Sequence, residues 1–130
     1  MEAYENNAEY NFNENAIHVA AAAISEPFFR EDFPDAWNFG ALGYTVGHEL
    51  THSIDTLGSS FDSNGNIVHD WWSETTKDQF RRRAFCLLKQ YATINDSFVE
   101  SKHSLDTKRT LDENVADNGG IQVAYRVGFN

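Results

Sequence analysis

The chain has 130 residues, enough for one domain with a modest core of its own. Twenty acidic against 10 basic residues give a formal net charge of −10, which repels a phosphate backbone and argues against nucleic acid as a partner. A hydrophobic content of 41% with 14% aromatics is that of a globular chain; no run of 18 apolar residues exists to span a membrane, and the polar, acidic start MEAYENNAEYNFNEN does not read as a signal peptide.

In chain order, residues 15–24, NAIHVAAAAI, are expected to be extended from Ile17 and Val19 into a run of alanines. Pro27 and Pro34 mark the loop SEPFFREDFPD. From about Asn38 to Asp55 the pattern is helical, with Leu42, Val46, Glu49 and Leu50 at helical spacing. Gly43 and Gly47 each weaken that helix by roughly 1 kcal/mol relative to alanine, so close packing or a site is expected to compensate. Asn64-Gly65 in FDSNGNIVHDWW signals a turn. Asp62, Asn64 and Asn66 start like a calcium loop, but Ile67 stands where the loop needs glycine and Ser73 where it needs glutamate, so calcium is rejected. Ser73 is expected to cap a long helix reaching about Ile94, with Phe80, Ala84, Leu87, Leu88 and Tyr91 as its buried stripe. The polar stretch NDSFVESKHSLDTKR, which contains the sequon Asn95-Asp96-Ser97, leads to a last helix near Thr110. Trp37, Trp71 and Trp72 read as core residues. No internal repeat or domain boundary appears.

The sharpest chemistry lies in HELTH, residues 48–52. Residues four apart share one face of a helix, so His48 and His52 can aim two imidazole nitrogens at one point. Glu49 sits beside that point, where a carboxylate can hold a water. Zinc suits two neutral imidazoles plus one further carboxylate or histidine, with a fourth place left for water. The plain alternative is a helix with two surface histidines. A third ligand is required, and Glu113 in TLDENVADNGG is the best candidate. Thr110 to Glu113 also fits a capping box, so cap and ligand both stay open from spacing alone. Asp117, four residues on, can fix the tautomer of a histidine.

The segments NAEY (7–10), PFF (27–29), GHELTH (47–52), FDSNGNIVHDWW (61–72), ENVADNGG (113–120) and AYR (124–126) follow one another in a fixed order. Together they resemble the catalytic part of the neprilysin and endothelin-converting-enzyme metallopeptidases, over nearly the whole chain. The resemblance implies an α+β, mainly α fold: a zincin-like catalytic domain with an HExxH active-site helix and a substrate-binding edge strand. It implies His48, His52 and Glu113 as ligands of one zinc ion, Glu49 as general base, and Asp117 as the group orienting a ligand histidine. Asn7 and Ala8 match the family's substrate-binding Asn-Ala. The implied function is a zinc-dependent endopeptidase acting on oligopeptides at the cell surface or outside the cell. The other reading is a zinc-binding relative that no longer turns over peptides.

Ser53-Ile54 replaces the family's usual glycine and aromatic, and Val19 to Ala23 replaces a stretch rich in proline and glycine. Family members also have an oxyanion-stabilising histidine and a substrate-gripping arginine beyond the position of Asn130, and an N-terminal half that closes over the site. Residues 1–130 are therefore expected to be part of such a catalytic domain. The lone Cys86 matches a family cysteine whose partner lies in that later region. His18, His69 and His103 sit in no matching motif and read as surface residues.

Overall fold

The chain first reverses on the side chain of Asn11, whose Oδ1 accepts the backbone N–H groups of Asn13 at 3.0 Å and Glu14 at 3.1 Å. This turn joins β1 (Ala8–Asn11) to β2 (Ala16–Val19) in an antiparallel pair that sets Ala8 opposite Val19 and Tyr10 opposite Ile17. The computed structural model describes residues 7–94 and 106–128, and among these the sheet has two strands, leaving one edge of β1 unpaired. The extended segment expected over 15–24 ends early. After Val19 the alanines wind into a 3₁₀ turn, Ala21–Ile24, in keeping with alanine's preference for helical over extended backbone.

A helical run follows from Asp35 to His52: α1 (Asp35–Asn38), a π-helical turn (Phe39–Gly43) and α2 (Tyr44–His52). It starts and stops three residues before the expected limits. The stop has a local cause. The N–H groups of Ser53 and Ile54 bond three residues back, to Leu50 and Thr51, and the Asp55 side chain takes the N–H of Gly58 at 2.6 Å, pulling the chain off the helical path.

Ser73 caps α3 (Glu74–Ala92), its Oγ accepting the N–H of Thr76 at 3.2 Å. Along α3, Ala84 is buried and Phe80, Leu87, Leu88 and Tyr91 are half-buried, the stripe expected from spacing. The last helix is α4 (Leu111–Gly128), tied to α3 by Asn118, whose Nδ2 donates to the Tyr91 hydroxyl at 3.1 Å.

The central packing is the crossing of α2 and α4, and it is made by glycines. A Cβ on Gly120 would lie 2.9 Å from the His48 backbone nitrogen and 3.0 Å from the Tyr44 carbonyl oxygen; one on Gly47 would lie 3.1 Å from the Gly120 carbonyl oxygen. The glycines that weaken α2 as a helix thus let the two backbones touch. Gly119 lies the same way against Thr51. Beyond the crossing, Val46 and Leu50 of α2 and Val123 and Val127 of α4 stay exposed along an open apolar groove.

The tryptophans are not core residues. Trp37 is 53% exposed and Trp71 50%, and each donates its indole N–H to a loop carbonyl, of Pro27 at 2.9 Å and of Ser59 at 2.8 Å respectively. Trp72 is half-buried against Phe80. Their apolar faces hold loops onto the surface rather than fill an interior. The loop at 61–67 closes on its own aspartate, with Asp62 Oδ1 accepting the N–H groups of Asn64 and Asn66 at 2.9 Å each and Gly65 at φ 75°. Cys86 is exposed on α3. Asn95 and His103 lie outside the described residues. Among those residues no helix is long and apolar enough to cross a membrane.

Candidate metal centre

On α2, His48 and His52 point their Nε2 atoms to within 3.1 Å of each other. The Glu113 Oε2 on α4 approaches both, at 3.4 Å from His48 Nε2 and 3.7 Å from His52 Nε2. These three residues are the group of titratable side chains placed to hold a metal ion among those described. Zinc with bonds of about 2.0–2.1 Å in tetrahedral geometry needs donors about 3.3 Å apart, so two imidazoles and one carboxylate at these separations fit it. Glu113 therefore does not close a capping box: its carboxylate faces the histidines, and the Thr110 hydroxyl engages Asn114 and the Asp106 carbonyl instead.

Each imidazole is held from behind. The Nδ1–H of His48 donates to Asp117 Oδ1 at 2.9 Å, and that of His52 donates to Asp55 Oδ2 at 2.7 Å. A carboxylate can only accept, so in its neutral form each ring carries its proton on Nδ1 and a lone pair on Nε2. Asp117 Oδ1 also accepts the Tyr44 hydroxyl at 2.5 Å. Burial, then that bond to Asp117, pushes the Tyr44 hydroxyl up to about 12, so it remains a donor. Asp55 is 1% exposed, and its other oxygen holds the N–H of Gly58. The hydrogen bond to Asp55 raises the pKa of the His52 imidazole above its usual 6.5.

Asp55 and Tyr44 are the site residues that sequence reasoning did not assign. A signal existed for both. Asp55 follows His52 by three and Tyr44 precedes His48 by four, the spacings at which helical side chains meet.

Glu49 is nearly buried at 8% exposure and is not one of the three converging donors. Burial raises its pKa, opposed by the two histidines and by a hydrogen bond with the Tyr10 backbone of β1. Glu49 thus faces β1. Ala8 of the strand and Asn7 just before it line the same cleft as His48, Glu49, His52 and Glu113, a space of about 530 Å³. His18 stands apart on β2 between Glu9 and Glu14, and His69 is exposed on the 61–72 loop.

Residues 7–129 match the model of peptidase family M13. Human membrane metallo-endopeptidase-like 1 is 40% identical over 120 residues, which are 92% of this chain and 15% of that protein. Human endothelin-converting enzyme 1 is 39% identical over 126 residues, 95% of this chain and 16% of that protein. Among solved structures, the inhibitor complex of the zinc metalloprotease ZMP1 of Mycobacterium tuberculosis superposes on all of this chain with a TM-score of 0.91 at 32% identity, and PepO of Lactobacillus rhamnosis does so with 0.90 at 30%. This chain corresponds to 20% of each of those two. A 123-residue match to one family model, on a backbone shared with two of its solved relatives, leaves one assignment: the chain belongs to peptidase family M13.

Proposed function

We propose that residues 1–130 form part of the catalytic domain of a zinc-dependent metalloendopeptidase, acting on oligopeptides at the cell surface or outside the cell. The observation that carries the reading is the convergence of His48, His52 and Glu113, with Glu49 beside them in one cleft. His48, His52 and Glu113 would hold one zinc ion, and Asp117 and Asp55 orient the two imidazoles. When bound, zinc supplies Lewis acidity, which brings the pKa of water there toward about 7 and offsets charge developing on the scissile carbonyl.

The rest is work for the chain's own groups. Glu49 accepts the proton of the attacking water on its carboxylate and returns it to the leaving amine nitrogen. Its raised pKa suits a group that must hold a proton between two steps. The unpaired edge of β1, with Asn7 and Ala8, offers an extended peptide a backbone to lie along.

The test pairs metal analysis with a fluorogenic peptide assay. Glu49→Gln should keep one zinc per chain and lose hydrolysis; Glu113→Ala should lose the zinc. Turnover by Glu49→Gln at the wild-type rate would refute the assignment of the base, and full zinc occupancy in Glu113→Ala would refute that of the ligand.

A further inference from the structure

Five carboxylates line the cleft, those of Glu9, Glu49, Asp55, Asp112 and Glu113, in a chain of net charge −10. Arg109 is the one permanently cationic side chain among the described residues that line it. It stands two positions before α4, where a positive charge opposes the helix dipole and gains nothing from it. Its natural partners are Asp112 and Glu113, three and four residues on. Neither pairs with it in the structure. Asp112 Oδ1 takes both the backbone N–H of Thr56, at 3.0 Å, and its hydroxyl. Glu113 Oε2 faces the histidines. The Arg109 backbone N–H donates to Asp106 Oδ1 at 3.2 Å, while its guanidinium forms no ion pair among the described residues. A five-donor cation is thus left open to the cleft, with its neighbouring carboxylates turned to other tasks.

We propose that Arg109 is a specificity-determining residue, selecting peptide substrates that carry an acidic side chain at the subsite beside the start of α4. The inference rests on the peptidase reading above. Away from the metal position, a carboxylate entering the cleft meets other carboxylates on every side but that of Arg109, so one position of the peptide beside the start of α4 gains from being acidic. A guanidinium offers that carboxylate two parallel N–H donors, which a neutral amide cannot exploit equally.

The test measures binding to the zinc-loaded chain by fluorescence anisotropy, which needs no turnover. A labelled peptide is varied one position at a time between glutamate and glutamine, and each member is made with a free or an amidated C-terminus. At low salt one position should favour glutamate by roughly 3–10-fold, and the ratio should shrink as salt is added. In Arg109→Gln the ratio should fall below one, because only the surrounding carboxylates remain; in Arg109→Glu that position should favour lysine. Zinc stoichiometry, measured for each variant, establishes that the cleft is assembled. A glutamate preference unchanged in Arg109→Gln, or absent from the wild type while neutral peptides bind, would overturn the role of Arg109 and leave the peptidase reading standing. An Arg109 effect confined to the free against amidated C-terminus would overturn it in favour of terminal-carboxylate binding. Failure of every peptide to bind, neutral ones included, would overturn both.

Discussion

Replacing Gly120 by alanine perturbs the metal centre without touching a donor atom. The new Cβ would lie 2.9 Å from the His48 nitrogen, 3.0 Å from the Tyr44 carbonyl oxygen and 3.1 Å from the His48 Cα, where ordinary Cβ contacts begin at 3.4 Å. All three obstacles are backbone, so no side chain can swing aside. The helices must part by about 0.5 Å, more than twice the tolerance of roughly 0.2 Å that metal–ligand distances allow. Overpacking of this kind costs about 1–3 kcal/mol, and alanine's better helix propensity returns about 1 kcal/mol, so overall stability is a blunt readout. Zinc affinity is the sharp one, because α4 carries Glu113 and Asp117 away from His48. A loss of at least tenfold, about 1.4 kcal/mol, is expected in a chelator-competition titration. Gly40→Ala is the control. Its Cβ meets nothing within 4 Å, so affinity should stay at the wild-type value. Wild-type affinity in Gly120→Ala would refute the claim that backbone contact at the crossing sets the ligand geometry.

Asp117→Asn and Asp55→Asn should each weaken zinc by roughly 10–100-fold without removing a ligand, as read by the same titration. In Asp55→Asn the amide oxygen is claimed by the Gly58 N–H, so the NH₂ meets the His52 Nδ1 and moves its proton to Nε2, the nitrogen that faces the other donors. In Asp117→Asn the amide oxygen still accepts from Tyr44 and His48, but without the negative charge that makes the imidazole a better donor to the metal. In the zinc-free protein the raised His52 pKa means that the protonated ring stabilises the fold, fully so below pH 6.5 and progressively less as pH rises through the raised value. That proton competes with the metal, so zinc affinity should fall on acidification, starting above pH 6.5. In Asp55→Asn the fall should begin at lower pH; an unmoved midpoint would show that Asp55 does not set the His52 pKa.

The pair of histidines and its glutamate were legible because their spacing is itself geometry: four residues on a helix make one face. Glu113 was legible as a residue with two possible uses, and the approach of its carboxylate to the histidines supports its use as a ligand. Asp55 had the helical spacing from His52, but what fixes its carboxylate is the turn after the helix, with the Gly58 N–H on its other oxygen, and that turn has no signal in spacing. The crossing glycines were read as a weakness needing compensation, and the partner that supplies it, Gly120, is a glycine 73 positions away from Gly47. The tryptophans misled because composition gives apolarity without saying what covers it. Trp37 and Trp71 use their indole N–H groups on loop carbonyls and so remain half in water.

The three proposed metal donors come from two segments, with Glu113 sixty-one residues after His52. An unfolded chain presents two of the three donors together and holds the third at the far end of a long loop, so it binds zinc far less well than the folded chain does. Held by the proposed donors, the ion would act as a cross-link between α2 and α4, and its binding energy would become folding energy. Each tenfold rise in free zinc above the dissociation constant adds about 1.4 kcal/mol to the folded state, up to about 4 kcal/mol at a thousandfold excess. With zinc held there as proposed, a chelator would act on this chain as a denaturant, and the zinc level of its surroundings would set how long the α2–α4 crossing survives heat.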